Sequence, residues 1–185
     1  VYPDCAGAID ETVGRAPMDV YGMTKSANEE QAAILARRSD IKVSVGRFFN
    51  AVGGRETNPH LVPDILQRIR HSNTIEIGNT SPKRDYIDVR DMATGVLAML
   101  DGNAGPIDTC NIGTGEAYDV VEIAAFLSEI HGSPIQLQPA ERLIRKVERQ
   151  NLQANSGRLQ SRYGWKPQHS IHDSLGYAHS WYVNT

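Results

Sequence analysis

Ile41-Lys42-Val43-Ser44-Val45-Gly46-Arg47-Phe48-Phe49-Asn50 is the stretch that decides the fold. It is a mostly apolar run of strand length that follows the polar turn Ser39-Asp40, which predicts a buried strand of a parallel sheet over 41–49. The segment before it, 20–38, is Ala-rich and spaces Ala27, Ala32, Ile34 and Leu35 close to a helical period, so a helix precedes the strand. Residues 3–17, rich in Pro, Gly and acid, read as a loop. Downstream, 50–59 reads as a loop, 61–70 as a helix with Pro63 in its first turn, and 74–78 as a short strand. A polar turn over 79–85 leads to a strand over 86–89 and a helix over 91–100 with Asp91 as N-cap. A strand over 110–112 comes before a helix that opens on the capping-box pattern Asp119-Val120-Val121-Glu122 and runs to Ile130. A strand over 135–137, a helix capped by Asn155 or Ser156 and ending at Tyr163, and a helix over 172–182 complete the chain. This alternation places the protein in the α/β class, with the short polar later strands forming a small satellite unit.

Composition narrows the function classes. The 185 residues are 40% hydrophobic and 22% charged, which suits one globular unit. The net charge of −3 and the lack of a long basic run argue against nucleic acid or an anionic membrane as partner. The two cysteines, Cys5 and Cys110, are far apart and outside any metal spacing, so they are expected to be free thiols of a reducing compartment. No apolar stretch approaches about 18 residues, so nothing is expected to span a membrane, and none reads as a secretory leader.

The chemistry is carried first by Tyr21-Gly22-Met23-Thr24-Lys25. A tyrosine and a lysine four residues apart share one helix face. A phenol titrates near 10, and a cation beside it favours the phenolate, which makes such a pair suited to moving the proton of a sugar or alcohol hydroxyl. A plain surface pair on an amphipathic helix fits the same residues. His169, His172 and Asp173 form the nearest approach to a metal set, but no fourth ligand stands at a recognised spacing, so no metal is expected. The glycine clusters Gly53-Gly54 and Gly113-Thr114-Gly115 lack the G-x-G-x-x-G spacing of a dinucleotide cradle and read as turns.

Seven blocks then coincide in order: Val1-Tyr2, Tyr21-x-x-x-Lys25, Gly46-Arg47-Phe48-Phe49-Asn50, Arg84-Asp85-Tyr86-Ile87-Asp88-Val89-Arg90-Asp91, Asn111-Ile112-Gly113-Thr114-Gly115, Arg145-Lys146-Val147-Glu148 and Gly164-Trp165-Lys166-Pro167. Together they resemble the C-terminal part of an extended short-chain dehydrogenase/reductase of the NAD-dependent epimerase/dehydratase family, which acts on nucleotide sugars. The resemblance implies part of a Rossmann-type parallel sheet plus a small C-terminal α/β substrate-binding subdomain. Residues 1–50 would be the end of the cofactor domain, and 51–185 mainly the substrate subdomain, with some segments returning to the sheet. The chain opens Val1-Tyr2-Pro3-Asp4 without an initiator Met, and is expected to be a piece that lacks the glycine-rich cofactor loop and the family's catalytic Ser or Thr.

The resemblance also implies roles. Tyr21 would be the acid/base for the sugar hydroxyl while hydride moves to or from NAD or NADP. Lys25 would favour the phenolate and bond the nicotinamide ribose, and Phe48 would lie beside the nicotinamide. Asn50 would reach a substrate phosphate, and Leu61 and Val62 would line the nucleotide base unless they are helix core. Arg84 and Arg145 would grip the diphosphate, as planar bidentate donors can. Glu148 would accept a ribose hydroxyl. Asp85, Asp88 and Asp91 are expected to be structural. The partner would be a nucleotide sugar and the reaction epimerase-like, with 4,6-dehydration or 4-reduction as alternatives. The resemblance further implies that the intact protein is cytoplasmic and forms a homodimer through the Tyr21 helix. A reading of another class is a non-catalytic sugar-nucleotide-binding remnant.

Overall fold

The expected 3–17 loop contains a two-residue strand, β1 (Ala8–Ile9), in a computed structural model that describes residues 1–56, 58–102, 105–144 and 148–184. Helix α1 (Val20–Arg38) follows. It starts where the Asp19 carboxylate accepts the Gly22 amide at 2.6 Å, and it ends with Arg37 and Arg38 in the last turn, where cations complement the helix dipole. Strands β2 (Val43–Phe48) and β3 (Asn50–Val52) come next, then helix α2 (Leu61–Arg68), β4 (Thr74–Ile77) and β5 (Lys83–Asp88). Helix α3 (Val89–Gly102), β6 (Ile107–Ile112), β7 (Ala117–Tyr118), α4 (Val120–His131) and β8 (Gln136–Pro139) lead to β9 (Asn151–Ala154), α5 (Gly157–Tyr163) and α6 (Ile171–Asn184).

The sheet is mostly parallel. Its main path runs β1-β9-β5-β3, with β7 added antiparallel to β5. Two parallel pairs accompany it, β2 with β6 and β4 with β8. Strand β2 is half-buried along most of its length rather than buried. The reason is topological: β6 takes one edge, and among the described residues no strand takes the other.

Three further expectations change. The segment after Phe49 is not all loop, because Asn50, Ala51 and Val52 pair in register with Tyr86, Ile87 and Asp88. The polar segment 79–85 is not all turn, because Lys83 and Arg84 lie beside Asn151 and Leu152, and Arg84 lies beside Tyr118 on the other side. Backbone pairing on both edges overrides side-chain polarity there. Helix α3 starts at Val89, two residues early, and Asp91 does not cap it. The Arg90 amide donates to Asp88 at 2.8 Å, while buried Asp91 accepts the Gln168 and His169 amides at 3.0 and 2.9 Å. The capping box at α4 forms as read: Asp119 accepts the Glu122 amide, and Glu122 accepts the Asp119 amide, both at 2.9 Å.

Asp85 fixes the turn after β6. It accepts the Thr114 amide and hydroxyl at 2.9 and 2.7 Å, the Gly115 amide at 2.8 Å and the Ala154 amide at 3.0 Å. Gly113 is required here, since a Cβ on it would lie 2.5 Å from the Ala154 Cβ. Burial pushes the Asp85 carboxyl up, against the pull of those bonds. One apolar cluster gathers α2, α4 and α6 around Ile65, Leu66, Ile123 and Leu127. A smaller one joins Tyr2, Ile9, Phe49 and Ala154. The free thiols fit the sequence reading: Cys5 is half-buried, and Cys110 is buried, with its thiol pushed up to about 12 by burial and nearby carboxylates. No helix among the described residues is long and apolar enough to cross a membrane.

Candidate active site

Helix α1 turns little of itself inward. Gly22 and Ala36 are its buried residues, while Tyr21 is 72% exposed and Lys25 is exposed beside it. The Lys25 ammonium stands 5.4 Å from the Tyr21 ring centroid, within reach of the ring's negative face. Both residues border a cavity of about 500 Å³ between α1 and β2. Phe48, the last residue of β2, borders the same cavity and is 50% exposed. Its neighbour Phe49 is buried, as alternation along an extended chain requires. The helix and the strand end therefore bring Tyr21, Lys25 and Phe48 to one place.

The cavity wall is held by a chain of polar contacts that sequence reasoning did not find. Arg47 donates from Nε and Nη2 to the two Glu29 carboxylate oxygens at 2.9 and 2.7 Å, a bidentate pair that ties β2 to α1. Its Nη1 donates to the Tyr2 hydroxyl at 2.7 Å, and that hydroxyl donates to the Asn111 side-chain oxygen at 2.7 Å. The Asn111 amide donates to Glu11 at 2.6 Å, and its side chain donates to the Ile9 carbonyl at 2.7 Å. Burial alone would depress the Arg47 guanidinium, but the Glu29 and Tyr2 bonds hold it charged, above its ordinary range. Burial pushes the Tyr2 phenol up, against the Arg47 bond, so Tyr2 stays a neutral donor. The one sequence signal was spacing: Glu29 lies four residues after Lys25, on the Tyr21 face of the helix.

The remaining candidates form a second group. Arg84, on β5, points its Nη2 at the Glu148 carboxylate 3.7 Å away, and each side chain is 17% exposed. The Arg84 Nη1 also donates to the Lys83 carbonyl at 2.9 Å. Asn50 is half-buried at the start of β3. Neither Arg84, Glu148 nor Asn50 borders the Tyr21 cavity. Leu61 is half-buried and Val62 is 3% exposed, both packed into the apolar cluster of α2. Val62 is thus helix core, because the first turn of α2 faces inward. Arg145 lies outside the described residues. Its neighbour Arg149 does border the Tyr21 cavity, with Nη1 3.8 Å from the Asp19 carboxylate. The Nε and Nη2 of Arg149 are shielded from solvent and have no hydrogen-bond partner among the described residues.

Among the described residues no three His, Cys, Asp or Glu side chains are grouped to hold a metal. His169 instead lies 3.0 Å from Asp91, and Asp173 accepts the Ser170 hydroxyl at 2.6 Å.

The chain is similar to known proteins in sequence and fold. A family model described as the NAD dependent epimerase/dehydratase family matches residues 1–113. UDP-glucose 4-epimerase of Corynebacterium glutamicum is 29% identical over 178 residues, covering 88% of this chain and 54% of that protein. GDP-6-deoxy-D-mannose reductase of Pseudomonas aeruginosa is 25% identical over 166 residues, covering 86% of this chain and 54% of that protein. The chain therefore spans about half the length of the curated relatives it matches. The fold is shared with UDP-glucuronic acid 4-epimerase from Bacillus cereus, solved with UDP-glucuronic acid and NAD, at a TM-score of 0.90 and 21% identity over 100% of this chain and 59% of that one. With the Tyr21–Lys25 helix, the parallel β2–β6 pair and the family match over more than half its length, the chain belongs to the NAD-dependent epimerase/dehydratase family.

Proposed function

We propose that this chain is the catalytic-pair and substrate-side part of an NAD(P)-dependent nucleotide-sugar epimerase-like enzyme, whose glycine-rich cofactor loop lies in sequence beyond these residues. The observation that carries the reading is that Tyr21, Lys25 and the end of a parallel strand at Phe48 share one cavity. NAD or NADP, when bound, supplies the hydride acceptor at a sugar carbon. The residues present fit the nicotinamide end of that cofactor: an exposed ring at Phe48, a phenol and an ammonium, all bordering one cavity. They do not include a cradle for its pyrophosphate, since neither Gly-rich turn has the required spacing.

Tyr21 takes the proton from a sugar hydroxyl and returns it, and Lys25 holds a positive charge beside the phenol in both directions. Arg84 offers a planar cationic fork to a substrate phosphate, and Glu148, beside it, accepts a ribose hydroxyl. Asn50 supplies a neutral amide donor to the phosphate region, and Arg145 adds a second guanidinium. Dehydration and reduction use the same frame, so the outcome at the sugar depends on groups beyond these residues. The intact protein is cytoplasmic on this reading and dimerises through α1, whose exposed Val20, Met23, Ile34 and Leu35 suit a helix–helix contact. A non-catalytic sugar-nucleotide-binding remnant is the second reading; among the described residues no strand pairs with the second edge of β2.

The test is product analysis of the protein from its complete reading frame against UDP-, GDP- and dTDP-sugars. An epimerised, dehydrated or reduced product is expected, with turnover falling on the order of 100- to 10,000-fold in Tyr21→Phe. No turnover of any sugar nucleotide, with retained binding of the nucleotides, would leave the remnant reading standing.

A further inference from the structure

Glu29 stands one helical turn after Lys25 on α1, so the two side chains are neighbours on one face and are spaced to pair. Among the described residues they do not. The Lys25 ammonium lies 5.4 Å from the Tyr21 ring centroid. Both Glu29 oxygens are instead taken by Arg47 of β2, at 2.9 and 2.7 Å. Arg15 also approaches Glu29, at 3.7 Å, but its hydrogen bonds go to the Ser26 carbonyl and to Glu30, both at 2.9 Å. The other titratable groups bordering the cavity are the Val1 amino group, Tyr2, Asp19 and Arg149. Tyr2 bonds Arg47 and Asn111, while Asp19 accepts the Gly22 amide and lies 3.8 Å from Arg149. Glu29 is thus the carboxylate placed to draw Lys25 along the helix, and Arg47 is the group that occupies it.

We propose that Arg47 is a positioning residue for the reaction: by engaging Glu29, it keeps the Lys25 ammonium beside Tyr21. The proposal rests on the acid/base role given to Tyr21 above. A cation favours a phenolate only while its own charge is not cancelled, and a carboxylate one turn away would cancel much of it. The two-point contact with Arg47 neutralises Glu29 and also fixes its orientation toward β2. The pair is 12% and 15% exposed, so little water screens it. Without Arg47, a carboxylate so shielded must turn to another cation. Lys25 and Arg15 are the cations on its own side, and Arg15 is already committed to Ser26 and Glu30. Arg47 therefore acts on the proton transfer through Glu29 and Lys25, and its effect is electrostatic as well as mechanical.

Titration of the tyrosine ring carbons by NMR tests this in the protein from its complete reading frame, with the Tyr21 signal assigned by its loss in Tyr21→Phe. In Arg47→Met the Tyr21 midpoint is expected to rise by about 0.3–1 pH unit at low ionic strength, and by less in high salt. Adding Glu29→Gln returns the midpoint to within about 0.2 pH unit of the parent, although the double variant also lacks the tie between α1 and β2. Sugar-nucleotide turnover moves in step: Arg47→Met loses roughly two- to tenfold at neutral pH and regains it in alkali, and the double variant recovers the parent pH profile. If Arg47→Met does not fold, Arg47→Gln carries the test, because its amide still donates to Glu29 without neutralising it, and the same rise is expected. An unchanged Tyr21 midpoint in the Arg47 variants overturns the proposal and leaves the nucleotide-sugar reading intact. So does a double variant that stays shifted as Arg47→Met is, since the lost tie, and not the released carboxylate, then moves the phenol. A shifted midpoint with no turnover of any sugar nucleotide overturns the nucleotide-sugar reading, and the proposal with it.

Discussion

Replacing Arg47 by methionine is the sharpest test of how the α1–β2 wall is held. The substitution keeps most of the side chain's volume and removes its charge. It breaks two bonds to Glu29, at 2.9 and 2.7 Å, and one to the Tyr2 hydroxyl, at 2.7 Å. The side chains are 12% exposed for Arg47 and 15% for Glu29, so the Glu29 carboxylate left behind is largely cut off from water. Removing one partner of a fully buried pair costs about 3–5 kcal/mol, and the residual exposure lowers the expectation here to about 2–4 kcal/mol. The Glu29→Gln variant loses the charge but keeps a bond acceptor, and the double variant leaves no charge stranded. A double-mutant cycle of urea unfolding, followed by the fluorescence of Trp165 and Trp181, should therefore give a coupling of about 1.5–3 kcal/mol between the two positions. Independent effects, with a coupling below about 0.5 kcal/mol, would refute the claim that this pair fixes α1 on β2.

Two further outcomes follow from the same geometry. Asp85→Ala strands the amides of Thr114, Gly115 and Ala154, and should cost roughly 3–5 kcal/mol in urea unfolding; a loss under about 1 kcal/mol would mean the turn reorganises freely. Asp108 is buried, which raises its carboxyl, but hydrogen bonds from Tyr163 at 2.5 Å and Arg162 at 2.7 Å outweigh burial and hold it below the usual range. A carboxyl depressed by folding stabilises the folded chain above its unfolded pKa of about 3.9, and that stability is lost as pH falls through the depressed value. Asp108→Asn should flatten this acid limb of the urea midpoint, and identical limbs in both proteins would sink the assignment.

The pairs and turns that were legible in the sequence are those made by neighbours along the chain. The Asp119–Glu122 capping box and the shared face of Tyr21 and Lys25 need only helical geometry, which spacing reveals. The Arg84-Asp85-Tyr86 block was read as site and scaffold, with a strand from Tyr86, but the strand character of Lys83, Arg84 and Asp85 was not legible. Polar side chains give no strand period, and the segment is extended only because β9 and β7 pair with it. The same limit hid Asn50. Val62 went the other way, since an apolar residue in a first helical turn reads alike as core or as ligand wall until the packing is known.

The sequence by itself determined the α/β class, the order of most elements, the family blocks and the Tyr21–Lys25 pair, because each of these is written in local period, turn chemistry or spacing. Only the tertiary structure decided what surrounds that pair. Glu29 and Arg47 are 18 residues apart, Tyr2 and Asn111 are 109 apart, and Asp19 and Arg149 are separated by most of the chain. Partners so distant in sequence have no spacing to betray them. Whether an arginine meets a carboxylate on both oxygens, as Arg47 does, depends on which strands and helices pack together in space.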